Sequence, residues 1–302
     1  MATSRFIKDP GLTARMTLTM FLLGGLFVAL VVVVISFVRS PGGAVLVAVA
    51  AIGVACWQWW SSDKVAMRAM RAREVTPEEA PELHGMIDRL CALADMPKPR
   101  VGISDLSVPN AFATGRSPDR AVVCVTTGIL QTLDAEELEA VLAHELSHVA
   151  HRDVLVMTVA SSAGIAAGLL LRLVQFGGMG RSRNSSTLPA VLIALVVSLV
   201  VYAVSFLLLR LLSRYRELSA DRAGAYLTLK PAALGSALQK ISGEIAAIPQ
   251  RDLRSSSAAS ALCIVPALGG GGLSGLVATH PPLQQRLEQL ARIQAELSRP
   301  TG

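Results

Sequence analysis

The sequence predicts a mostly α integral membrane protein in which four apolar helices are interleaved with a mixed α+β portion outside the bilayer. Three observations carry this. Four stretches are almost wholly apolar, and each approaches or exceeds the roughly 20 residues that cross a hydrocarbon core. Hydrophobic residues make up 52% of the chain and charged residues 17%, where an ordinary soluble domain carries about 25% charged residues. The remaining segments change period, from helical spacing to short β-type runs bounded by Pro, Gly and Asp.

The apolar stretches run from about Met16 to Val38, Gly42 to Trp60, Val154 to Val174 and Leu188 to Leu212. The first is longer than the 7–15 apolar residues of a secretion signal, and a second follows at once through Arg39, Ser40 and Pro41. It therefore reads as a retained anchor. Hydropathy alone also allows the third and fourth to form a buried hairpin. This divides the chain into an N-terminal membrane hairpin (1–73), a first polar part (74–153), a second membrane hairpin (154–212) and a second polar part (213–302).

Charge placement sets the expected orientation. Arg5, Lys8 and Arg15 precede the first stretch, and Lys64, Arg68, Arg71 and Arg73 follow the second. Arg152 precedes the third, while Arg210, Arg214, Arg216 and Arg222 lie at or beyond the end of the fourth. Only Arg39, Arg181 and Arg183 occupy the opposite loops. The positive-inside rule then puts both termini and both polar parts in the cytoplasm of a multi-pass plasma-membrane protein. Trp57, Trp59 and Trp60, all the tryptophans of the chain, sit together at the end of the second stretch, as an interfacial belt would.

The net charge of +6 is explained by this placement beside apolar blocks, which suits anionic lipid. With 4% aromatic residues the chain offers no base-stacking platform, and nucleic acid is not expected as a partner. Cys56, Cys91, Cys124 and Cys263 make no C-x-x-C pair and lie in apolar contexts, so they read as free buried thiols in a reducing compartment.

In the polar parts, residues 78–95 read as an amphipathic helix with Leu83, Met86, Ile87, Leu90 and Leu93 on one side. Val101–Ser104 and Ala121–Val125 read as strands, and Asn110–Gly115 between them as a further candidate. Asp134 followed by Glu137 is a capping box that opens a helix near Ala135. Gly269–Gly272 lacks the Lys-Ser/Thr of a phosphate loop and reads as a loop, and 249–275 matches no pattern.

That capped helix carries His144-Glu-Leu-Ser-His148. Histidines four residues apart stand on one face, one turn from each other, so both imidazoles can meet one zinc ion. Glu145 between them is placed to take a proton from a zinc-activated water. Of five histidines in the chain, three (His144, His148 and His151) fall within eight residues. The bland alternative is a polar helix face. A catalytic zinc also needs a third protein ligand and an open position. His151 lies seven residues from His144, about 10 Å along a helix axis, too far for ligand bonds near 2 Å. Glu217 and Asp221, in Arg216-Glu-Leu-Ser-Ala-Asp221-Arg222, are better placed. On a helix they share a face, so one carboxylate can bind the metal while the other accepts a ligand histidine's free N–H. Spacing alone serves equally for a solvated carboxylate pair.

The order His-Glu-Leu-Ser-His, two apolar segments, Arg-Glu-Leu-Ser-Ala-Asp, then Thr279-His-Pro-Pro282 resembles the HtpX family of membrane metallopeptidases over nearly the whole chain. The prenyl-protein (CAAX) endopeptidases are relatives with more spans. The resemblance implies a zincin-like α+β cytoplasmic catalytic domain with one Zn2+ per chain. It implies Glu217 as third ligand, Asp221 supporting a ligating histidine, and Asn110, Ala111 and Phe112 on an edge strand where a substrate chain could pair. It also implies His280 near the scissile carbonyl, stabilising developing charge, with Arg286 supporting that corner. Taken bare, His280 is a loop histidine and Arg286 a surface charge.

The expected activity is therefore zinc-dependent hydrolysis of internal peptide bonds in membrane proteins, in a quality-control role by resemblance. Two rivals stand beside it. One is a non-catalytic zinc-binding scaffold, which would have no use for Glu145; the other is a processing protease for one specific substrate.

Overall fold

A computed structural model describes residues 9–36, 41–153, 156, 188–247 and 280–299. The chain forms two compact units. One comprises Met1–Leu12, Ser62–Val154 and Ser213–Gly302, the other Thr13–Ser61 and Leu155–Leu212.

The second unit is apolar. It contains most of α1 (Pro10–Ser36) and α2 (Pro41–Ala69) and the first part of α6 (Leu188–Thr228). Leu30 packs on Val201, with Leu26 and Val197 beside them. Many large apolar side chains point outward, among them Phe21 at 78% exposure and Leu46 at 69%. Water would penalise such a surface, and hydrocarbon would not.

Two helices among the described residues, not four, are long and apolar enough to cross a membrane: Pro10–Val33 and Leu195–Thr228. The second expected span, Gly42–Trp60, is helical as part of α2 but is not one of these two; past Trp60 the helix continues through polar Ser61, Asp63, Lys64 and Arg68. The third, 154–174, lies outside the described residues apart from Val156, as do the 182–187 loop, the glycine run and 249–275. The fourth expected span does not stop near Leu212. With no proline or glycine between Pro189 and Gly224, α6 continues unbroken through Arg216–Arg222 to Thr228. It ends where Leu229 takes a left-handed φ of 59° before Lys230-Pro231.

The first unit is built on a four-stranded sheet in the order β1-β2-β4-β3. The strands are β1 (Ala72–Glu74), β2 (Arg100–Ser104), β3 (Ala111–Thr114) and β4 (Val122–Thr126). β2 and β4 are parallel, and the two outer strands pair antiparallel. The three strands expected from the sequence are present within a residue or two. β1 was not expected: three residues reading Ala-Arg-Glu show no alternation, and the strand exists through its pairing with β2. α3 (Pro81–Ala94) buries Leu83, Ile87, Leu90 and Ala94 along one face, as its spacing predicts. The short α4 (Thr127–Thr132) follows β4, with Thr126 capping it by accepting from the Ile129 N–H.

α5 (Ala135–Ala150) is the central element. Asp134 accepts from Glu136 and Glu137, and the Glu137 side chain returns to the Asp134 N–H, completing the capping box. Glu137 also receives Ser236 at 2.6 Å and Lys240 at 2.7 Å from α7 (Pro231–Ala247). One buried carboxylate thus caps α5 and fixes its neighbour. α5 packs on β3, α3 and α7, and α7 packs on α8 (Leu283–Leu297). Leu142 and Leu146 of α5, Ile87 of α3, Leu234 and Leu238 of α7 and Leu290 of α8 share this core. Cys91 and Cys124 are free and buried as expected; Cys56 is free but exposed, on apolar α2.

Candidate metal centre

His144 and His148 occupy successive turns of α5, their rings 4.9 Å apart and perpendicular. Glu217 comes from α6. Its two oxygens divide between the imidazoles, Oε2 lying 3.6 Å from His144 Nε2 and Oε1 3.6 Å from His148 Nε2. All three side chains are buried, and their ligand atoms lie within 4.8 Å of one another. Tetrahedral zinc with bonds near 2.0–2.1 Å sets its ligands about 3.4 Å apart, so this spacing fits that ion. His144 Nε2 is buried, and the Glu217 oxygen facing it stands at 3.6 Å, beyond hydrogen-bond distance, a costly state that coordination would relieve. The charge pattern agrees. Burial disfavours a charge on His144, yet the Asp221 and Glu217 carboxylates beside it hold its pKa up to about 9. The position favours positive charge, which a bound cation supplies. His151, at the end of α5, is not part of the cluster.

The other ring nitrogens are held too. Asp221 Oδ1 lies 2.9 Å from His144 Nδ1. Arg286, at the start of α8, clamps that carboxylate with Nε on Oδ2 at 2.7 Å and a terminal nitrogen on Oδ1 at 2.6 Å. The Arg286 side chain is fully buried. Its contact is therefore with the carboxylate behind His144, where the sequence reading set it behind His280. On the other histidine, Asp153 Oδ2 lies 2.7 Å from His148 Nδ1. Arg216 Nε lies 3.0 Å from the same oxygen. Nothing in the sequence singles out Asp153, and Arg216 stands there as one of the charges beyond the fourth apolar stretch. Five residues from His148 and past the end of α5, Asp153 carries no helical-face signal; the adjacency of Arg216 to Glu217 was the one clue.

His280 is buried, with Nδ1 3.0 Å from Glu217 Oε2. Glu145 is buried and turned toward the sheet, where its carboxylate accepts a hydrogen bond from the Ala113 N–H. Burial pushes its carboxyl above the usual range, opposed by the two histidines. β3 is an outer strand. The Asn110 carbonyl accepts from the Thr126 N–H, so strand alternation turns the main-chain groups of Ala111 and Ala113 away from β4. The Phe112 side chain packs with Ala66, Met70, Val122 and Cys124. The structure thus gathers His144, Glu145, His148, Glu217, Asp221, Arg286 and His280, with β3 meeting Glu145.

A HExxH helix completed by a glutamate from a second helix defines a zinc metallopeptidase. Comparison with known proteins agrees. Residues 77–294 match peptidase family M48. The chain is 54% identical to "Protease HtpX homolog 1" of Streptomyces coelicolor, over 97% of this chain and 96% of that one. It is 47% identical to "Protease HtpX homolog" of Moorella thermoacetica, over 96% and 97%. The crystal structure of Ste24p from S. mikatae shares the fold, with a TM-score of 0.50 at 16% identity, covering 91% of this chain and 63% of that one. The chain belongs to peptidase family M48, among its HtpX proteases.

Proposed function

We propose that the chain is a multi-pass membrane endopeptidase, holding one zinc per chain, that hydrolyses membrane-protein polypeptides in proteolytic quality control. The observation that carries this is the meeting of Glu145 with β3 beside the His144–His148–Glu217 cluster. A proton acceptor, a metal site and a strand with outward main-chain groups are what cleavage of an extended peptide needs. The ion supplies Lewis acidity when bound. Glu145 takes a proton from the attacking water and passes it to the leaving amine. His280 donates toward the developing negative charge, and Asn110, Ala111 and Phe112 provide the strand against which substrate pairs. Asp221, held by Arg286, keeps the His144 Nδ1 proton so that Nε2 stays free for metal. The Lys/Arg asymmetry supports a cytoplasmic site and termini.

The test is comparative proteomics of membranes from cells carrying the wild type or Glu145→Gln. Full-length membrane proteins should accumulate in the variant and their fragments should disappear. Identical peptide patterns would remove the reading.

A further inference from the structure

Helix α6 holds the imidazole of His148 on two sides. Glu217 Oε1 stands 3.6 Å from Nε2. Arg216, the preceding residue, acts at the other nitrogen: its Nε lies 3.0 Å from Asp153 Oδ2, and that oxygen lies 2.7 Å from His148 Nδ1. A terminal nitrogen of Arg216 also comes within 3.5 Å of His148 Nδ1. Neighbouring residues on a helix project about 100° apart, so positions 216 and 217 can straddle one ring. Asp153 has no solvent exposure and Arg216 has 9%. Burying such a pair is expensive and is weak evidence for stability as a purpose.

The arrangement repeats what surrounds the other histidine. His144 has Asp221 at Nδ1 and Arg286 behind it; His148 has Asp153 at Nδ1 and Arg216 behind it. In each case the carboxylate keeps the ring proton on Nδ1 and leaves Nε2 as the donor atom. The arginine then cancels the carboxylate's charge. Glu217 remains the one anion of the ligand set, so the Lewis acidity of a bound dication is not quenched by the two supporting carboxylates. We propose that Asp153 is the positioning residue of the metal ligand His148 and that Arg216 anchors it.

This rests on His148 being a metal ligand, and the experiment separates the two claims. Zinc affinity is measured by chelator competition on the full-length protein in detergent, with the absorption spectrum of its Co2+ form as a second readout. Asp153→Asn should bind zinc about 10–100-fold more weakly, and its cobalt spectrum should shift. Asp153→Asn leaves Arg216 buried without its anion, so the doubly neutral Asp153→Asn/Arg216→Gln is measured beside it. That variant should unfold, metal-free, near the wild-type temperature and still show the affinity loss. Wild-type zinc affinity and an unchanged cobalt spectrum in either folded variant overturn the assignment. Failure of both to fold overturns it too, making the pair purely structural. His148→Ala tests the centre itself: zinc retained there at wild-type affinity overturns the ligand reading and the positioning role with it.

Discussion

Gly224 on α6 packs so closely against α5 that a methyl group in its place would stand 3.0 Å from the His144 backbone nitrogen and 3.2 Å from its Cα. The atoms met are main chain of a capped helix, and they cannot turn aside as a flexible side chain would. Gly224→Ala gains about 0.5–1 kcal/mol of helix preference, but overpacking costs about 1–3 kcal/mol. The expected balance is net destabilisation with weaker zinc retention, because His144 moves with its backbone. Thermal unfolding and metal content of the purified variant check this; unchanged values would mean the two helices can separate freely.

Glu145 and Glu217 should separate on metal content. Glu145→Ala is expected to keep its zinc and lose about 10²–10⁴ in turnover, the usual range for a general acid–base group. Glu217→Ala should lose most of its zinc, whereas His151→Ala should keep it. Elemental analysis of the three variants decides; zinc loss in Glu145→Ala would make that residue a ligand.

Arg286 and Asp221 form a fully buried bidentate pair. Arg286→Ala leaves the carboxylate without its cation, which typically costs about 3–5 kcal/mol. Asp221→Asn/Arg286→Met, with both charges gone, should recover much of that stability while binding zinc more weakly than wild type. Denaturant unfolding with parallel zinc titration reads both effects, and wild-type zinc affinity in the double variant would argue against support of His144.

For His280→Ala the expectation is retained zinc with kcat about 10²–10³ lower on a model peptide, the usual effect of removing one transition-state donor. KM should move little, because the interaction grows as charge develops. The contact of His280 with Glu217 makes the control important. Zinc loss in this variant would show that the histidine serves the ligand and not the transition state.

What was readable in the sequence was local. The Asp134–Glu137 box and the His144–Glu145–His148 turn each declare themselves within five residues or so, whereas the Glu217/Asp221 spacing suits a solvated carboxylate pair equally well and gains its meaning from the resemblance. Asp153 and Gly224 were not readable: each gains its meaning from a partner on another element, Arg216 for the first and the His144 backbone for the second. β1 was hidden because its three residues are held by β2 and show no pattern of their own. The contact of Arg286 with Asp221 was not readable either, since only the packing of α8 reveals it. Of the four apolar stretches, the first and fourth lie on helices long and apolar enough to cross a membrane among the described residues, the second lies on α2, and the third falls outside those residues.

β3 has one further implication. An outer strand grips peptide by amide and carbonyl groups, which every polypeptide carries alike, so it is nearly indifferent to the letters of the sequence. It does demand that those groups be vacant, and inside an intact helix or a paired strand they are already spoken for. A cutting edge of this kind would sort its targets by conformation: a natively folded neighbour passes unread, and the same chain becomes legible once a segment comes loose.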